Sequence, residues 1–193
     1  EAWAAYQNAL ALISSSAPIQ RSRLYRKVGK TRETLRLYDE AAQAYQQAEI
    51  ALGEAPAEAP EDWREEWVII QLDRIYLDYW RGRVEEMAKM VEKVRPAIES
   101  YGTQLQRNKF YTNLAAMALR RDRYVGSDEI IQNAGMAVTA AREIGYGSDY
   151  RNSEFMFGFC LLWRGDLDEA EKQFQTAIQL TEIAGDVTTQ SRS

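Results

Sequence analysis

One cysteine and no histidine is a thin inventory for catalysis. Histidine is the usual general base and metal ligand near neutral pH, and it is absent. Cys160 lies among Phe157, Phe159 and Leu161, with no basic neighbour to draw off its proton, so it reads as a small buried apolar residue rather than a reactive thiol. The carboxylate pairs Glu65-Glu66, Glu85-Glu86 and Asp128-Glu129 are adjacent in sequence. On a helix, adjacent side chains point about 100° apart, which suits solvated surface better than shared acid–base work. There is no phosphate-cradling Gly-x-x-x-x-Gly-Lys run, no Gly-x-Ser-x-Gly and no cluster of Cys or His. The expectation is therefore no catalytic residue, no cofactor and no metal.

What remains is the chemistry of recognition. Arg21, Arg23, Arg26, Lys27, Lys30, Arg32 and Arg36 form a basic run broken only by Glu33, in a chain whose net charge is −5. Arg23, Arg26, Lys27 and Lys30 follow helical spacing and share a face. Such a face can capture a carboxylate, a phosphate or an acidic peptide, or it can simply be solvated or pair with acids of a neighbouring element. Two apolar rows have the same helical spacing: Leu72, Tyr76, Tyr79 and Trp80, and Phe155, Phe159, Leu162 and Trp163.

The elements that position these residues are helices. Ala, Leu, Glu, Gln, Arg and Met dominate, and they lose little side-chain freedom in a helix. The pattern predicts helices over 1–14, 19–35, 38–52, 61–81, 83–100, 103–121, 127–144, 148–164 and 167–184, with a further one starting near Val187. No alternating run argues for a strand. Pro18, Pro56 and Pro60 fall in expected loops, and Pro96 should kink or end its helix near Arg95. Gly53, Gly102, Gly145 and Gly185 are placed as left-handed helix stops. Trp80-Arg-Gly82 and Trp163-Arg-Gly165 are two near-identical turns, the second followed by a possible capping box from Asp166 to Glu169.

The helices come in pairs that repeat one another. Twelve residues after Gly158 stands Ala170, then Phe174 and Ala177; twelve after Gly29 stands Ala41, then Tyr45 and Ala48. Ala134, Val138 and Ala141 echo the last part, as do Met87, Val91 and Val94 more loosely, and Ala2, Tyr6 and Ala9 at the start. Small residues let two helices cross closely, and the aromatic one turn on is expected to fill the space against the next pair. One pair cannot bury its apolar face alone, so pairs must stack.

At these residues the chain resembles the tetratricopeptide repeat family. Gly29 and Gly158 match its first-helix glycine; Ala41 and Ala170, Tyr45 and Phe174, Ala48 and Ala177 match its second-helix signature; Tyr25 stands where its tryptophan is common. The usual proline after the second helix is missing, and Ile75 and Ala115 replace the glycine in the middle pairs. The repeats, read from Ala2 through Ala41, Met87, Ala134 and Ala170, run 39, 46, 47 and 36 residues, against about 34 in the family. Long, degenerate arrays of this kind are also similar to the sensor arrays of bacterial signalling ATPases and nucleotide cyclases.

The resemblance implies an all-α, right-handed superhelical solenoid of antiparallel helix pairs. It would be one array over 1–193, with a half repeat at 1–16, pairs at about 19–53, 61–102, 103–145 and 148–185, and a new repeat starting at 186–193. Residue 1 begins inside a second helix and residue 193 stops inside a first one, so the expectation is a piece of a larger protein that can associate end to end through its cut ends. The family register puts both apolar rows and the basic face on the concave side. The candidate partner-binding residues are then Arg23, Arg26, Lys27, Lys30, Leu72, Tyr76, Tyr79, Trp80, Phe155, Phe159 and Trp163. The implied function is a non-catalytic protein- or peptide-binding scaffold, a regulatory module of a bacterial signalling protein. The alternative is a small-molecule sensor with its ligand in the concave groove. The partner fitting both features is a protein or peptide, acidic with bulky apolar side chains. The acidic total weighs against nucleic acid, no apolar run is long enough to span a bilayer, and a lone cysteine suits the cytoplasm.

Overall fold

The computed structural model describes residues 2–14, 16–145 and 147–184, and the described residues are helical with no strand. The helices are α1 (Ala2–Leu12), α2 (Pro18–Thr34), α3 (Tyr38–Leu52), α4 (Glu61–Arg81), α5 (Val84–Tyr101), α6 (Gln104–Arg121), α7 (Asp128–Ile144), α8 (Ser148–Arg164) and α9 (Leu167–Ala184). The expected stop at Gly185 and the helix expected from Val187 lie outside the described residues.

Local chemistry sets several of these ends. Pro18 opens α2 rather than preceding it; a first-turn proline loses no helical hydrogen bond and arrives with helical φ. Thr103 and Gln106 form a capping box at the start of α6, and the Ser127 hydroxyl accepts from the Ile130 N–H at the start of α7. Pro96 does not end its helix: α5 runs on to Tyr101. The expectation that Gly102 takes a positive φ is not met, whereas Gly53, Gly82, Gly145 and Gly165 do take one.

The chain divides into two compact units, Glu1–Val94 and Arg95–Ser193. In the first, α2 packs on α1, α3 and α4, and α3 packs on α4. Its core joins Ala48, Leu52, Trp63 and Ile70, flanked by Ile19, Tyr25 and Trp67, with a second group of Ala41, Tyr45 and Leu77. In the second unit, α6 packs on α7 and α8, α7 on α8, and α8 on α9. Its core joins Ala115, Ala118, Leu119, Ile130, Ala134 and Cys160. Burying one such large apolar side chain contributes about 1.5–3 kcal/mol.

The repeated small residues sit where the pattern requires. Ala41, Ala48, Ala170 and Ala177 are fully buried, as are Met87, Val91, Val94, Ala134, Val138 and Ala141. The aromatics do a second job besides the one expected. The Tyr45 ring lies directly on Gly29 of its own pair: a Cβ there would come within 2.5 Å of ring carbon Cε1. Phe174 lies on Gly158 in the same way, at 3.0 Å. The glycine is thus the floor on which the ring rests, and Tyr45 reaches Leu77 of the next pair from that seat.

Candidate partner-binding surfaces

In the first unit the basic face of α2 turns towards α4. The Arg26 guanidinium donates from Nε to Glu66 Oε1 at 2.8 Å and from Nη1 to Asp73 Oδ2 at 3.5 Å. Arg23 Nε reaches the other Glu66 oxygen at 3.4 Å. Glu66 and Asp73 are both buried, so Arg26 is an internal counter-ion. Burial works against its charge, but the bonds and negative charge of Glu66 and Asp73 outweigh that and raise its pKa. The reading of Arg26 as a partner contact is therefore corrected, because Glu66 and Asp73 hold its guanidinium inside the fold. Lys30 donates to Glu33 at 2.6 Å, and the other Glu33 oxygen accepts from the Tyr45 hydroxyl at 2.8 Å. Burial first, then the charges of Asp73 and Glu33, push the Tyr45 phenol far above its ordinary value. Lys27 is exposed.

The aromatic row of α4 meets this network. The Lys30 ammonium stands 5.1 Å from the Tyr76 ring centre. Tyr76 stacks near Tyr79 at 6.2 Å, and Trp80 meets both rings edge to face at 6.1 and 5.2 Å. Leu72 is 1% exposed and Tyr79 is buried. These two are core, and they leave the candidate surface. Trp80, 44% exposed, is its apolar tip.

The second unit carries the matching row on α8. Phe155 stacks near Phe159 at 6.3 Å, and Phe159 meets Trp163 edge to face at 6.0 Å. Phe155 also leans on Phe174 of α9. Phe155 and Phe159 are half-buried, while Trp163 is 49% exposed with exposed Leu162 beside it. Tyr124, from the turn after α6, covers one side of Trp163 at 5.2 Å between ring centres. Sequence reasoning passed over Tyr124.

It also passed over what the turns do. Four helices end with the same cap, in which one residue at positive φ lets the next N–H reach back five residues. Leu37 N–H bonds Arg32 O, Arg83 bonds Asp78 O, Tyr124 bonds Leu119 O and Asp166 bonds Leu161 O. The positive-φ residues before those N–H groups are Arg36 (60°), Gly82 (70°), Arg123 (51°) and Gly165 (92°), and after α6 Tyr124 takes a positive φ as well (63°). Two of the four are arginines where glycine is the low-cost choice. The Trp-Arg-Gly turns are further tied down by their arginine: Arg81 bonds Asp39 in the first turn of α3 at 2.9 Å, and Arg164 bonds Asp128 in the first turn of α7 at 3.1 Å. Gly126 lies so close to Arg164 that a Cβ would come within 2.5 Å of its Cα. Aligning Arg36 and Arg123 with the two Trp-Arg-Gly glycines was the available sequence signal.

A cleft of about 800 Å³ opens among α3, α4 and α5, lined by residues that include Asp39, Glu49, Arg74, Asp78, Arg81 and Lys89. Its floor charges are mutually paired, Arg74 with Glu49 and Arg81 with Asp39 and Asp78. Burial raises the pKa of Asp78. Among the described residues no three His, Cys, Asp or Glu side chains gather as a metal site would need, and no helix is long and apolar enough to cross a membrane. Cys160 is fully buried, and burial pushes its thiol up to about 12. No protein-family model matches the chain, and neither does any curated protein.

Proposed function

We propose that this chain is a non-catalytic protein- or peptide-binding scaffold of the tetratricopeptide kind, a cytoplasmic regulatory module of a bacterial signalling protein. Each unit would hold two antiparallel helix pairs of a right-handed solenoid. The seating of Tyr45 on Gly29 and of Phe174 on Gly158 supports the fold part of this reading. So do the contacts of α2 with α4 and of α6 with α8, because first helices touch the next first helix in such arrays. The observation that carries the functional part is the pair of half-exposed tryptophans, Trp80 and Trp163, each ending an aromatic row. Large aromatics held by their neighbours and still wet on one side are the usual anchors of protein interfaces.

A photo-crosslinking residue placed at Trp80 or at Trp163 in the source cells tests this. Crosslinks to a discrete protein are expected from both positions. If both give none while the same probe at exposed Ile50 captures a protein, the scaffold surface lies elsewhere. The sensor reading draws on the α3–α4–α5 cleft, whose volume falls in the range of small-ligand sites. It predicts a small molecule that copurifies and is lost on Arg74→Ala.

A further inference from the structure

The cleft among α3, α4 and α5 lies wholly within the first unit. Two of its arginines are spent inside it, Arg74 on Glu49 and Arg81 on Asp39. The remaining charged groups of its lining are Asp78, Glu86, Arg83 and Lys89. The Asp78 side chain is 13% exposed, and the cation paired with it, Arg81 Nη1, stands at 3.8 Å, beyond hydrogen-bond length. Among the described residues no donor bonds this carboxylate, and Glu86, Arg83 and Lys89, all exposed, make no ion pair. Burying a carboxylate without a donor is costly. Burial is the largest cause raising the Asp78 pKa; Arg81, Arg83 and Arg74 act against it and Glu86 adds to it, so all four stand close enough to be felt. The lining as a whole is balanced, with Asp39, Glu49, Asp78 and Glu86 against Arg74, Arg81, Arg83 and Lys89.

We propose that this cleft binds a small zwitterion, an amino acid or short peptide whose ammonium meets Asp78 and whose carboxylate meets Arg83 and Lys89. The balance of the lining argues for both charges in one ligand. An anion alone would face Asp78 and Glu86, and a cation alone would face Arg74, Arg81 and Arg83, so either would meet like charge in the cleft. An ammonium supplies the donor that Asp78 lacks. The apolar lining residues are Ala42, Leu77 and Met90, which suit an aliphatic side chain, and no aromatic ring among the lining residues offers a flat base a stacking platform. This inference rests on the sensor reading of the same cleft and names the class of its ligand.

The test titrates the full chain by calorimetry with two zwitterions, free leucine and its dipeptide leucyl-leucine. The controls are isopentylamine, which is leucine without its carboxylate, and isocaproate, which is leucine without its ammonium. At least one zwitterion should bind, and each single-charge analogue should bind at least tenfold more weakly. Which of the two zwitterions binds more tightly tells a free amino acid from a peptide. Arg83→Gln, at an exposed position, should weaken the zwitterion at least tenfold with an unchanged melting curve. Asp78→Asn should weaken the zwitterion and narrow or reverse its lead over isocaproate, a change of preference that unfolding does not produce. The proposal is overturned if neither zwitterion binds, if a single-charge analogue binds as tightly, or if both variants bind like the parent. If the molecule that copurifies and is lost on Arg74→Ala carries one charge or none, the sensor reading stands and this inference alone fails.

Discussion

The α2–α3–α4 region of the first unit and the α6–α7–α8 region of the second are framed alike and filled differently. Both end α2 or α6 with the same left-handed arginine cap, and both tie a Trp-Arg-Gly turn to an aspartate at the start of the preceding helix. Between first helices, however, the first unit buries charge: Arg26 between Glu66 and Asp73, with Glu33 holding Tyr45 and Lys30 alongside. Where α6 meets α8 the second unit uses neutral groups, and its fully buried carboxylate, Glu154, pairs instead with Arg142 of α7 at 3.0 Å. Asn108 Nδ2 donates to Ala137 O at 2.8 Å and to Ser153 Oγ at 2.7 Å. The frame is set by backbone and close packing, so it repeats. The filling has only to satisfy its own hydrogen bonds, so it drifts.

The largest effect should come from the charged filling. Arg26→Glu strands two buried carboxylates against a third and should cost about 3–5 kcal/mol in urea denaturation. A cost below about 1 kcal/mol would mean that the network is not buried in solution. The neutral filling should cost less: Asn108→Ala removes two bonds and should lose about 1–3 kcal/mol. If it costs as much as Arg26→Glu, the contrast between the two fillings fails.

The frame can be tested at its caps. Gly82→Ala and Gly165→Ala meet no atom within 4 Å, so their cost is torsional, about 1–2 kcal/mol. Arg36→Gly and Arg123→Gly should be neutral or gain up to about 1 kcal/mol, the relief of strain being partly offset by glycine's chain entropy. Stabilisation by the alanine changes, or destabilisation by the glycine changes, would contradict the equivalence of the four caps.

A smaller effect separates the units by pH. The Cys160 thiol is raised by burial from about 9 to about 12. The folded state therefore holds the proton more tightly than the unfolded chain. Its contribution is fully present below about pH 9 and declines as pH rises from there towards 12. Between pH 8 and 10 the urea midpoint should fall slightly in the parent, and less in Cys160→Ala; equal slopes would show that the thiol is not buried.

The helix bounds were legible almost to the residue, because capping residues, glycine stops and helix formers agree with one another along the chain. The buried alanines were legible because their spacing recurs. Which face met which neighbour was not. Leu72, Tyr79 and Arg26 look like surface from spacing alone; the packed fold buries Leu72 and Tyr79, and the approach of α4 to α2 gives Arg26 its buried partners. Arg36 was visible only as one more charge in a basic run, since nothing in a single residue's type announces a left-handed backbone.

The central claim is that one packing device, a ring seated on a glycine, builds both units. A double-mutant cycle on Gly29 and Tyr45 tests it most directly. Gly29→Ala alone should overpack the fully buried ring and cost about 1–3 kcal/mol. In a Tyr45→Leu background the same change should cost nothing or gain slightly, as alanine favours helix. The same cycle on Gly158 and the half-exposed Phe174 should show the same sign with a smaller coupling. Identical costs for Gly29→Ala in both backgrounds would contradict the account.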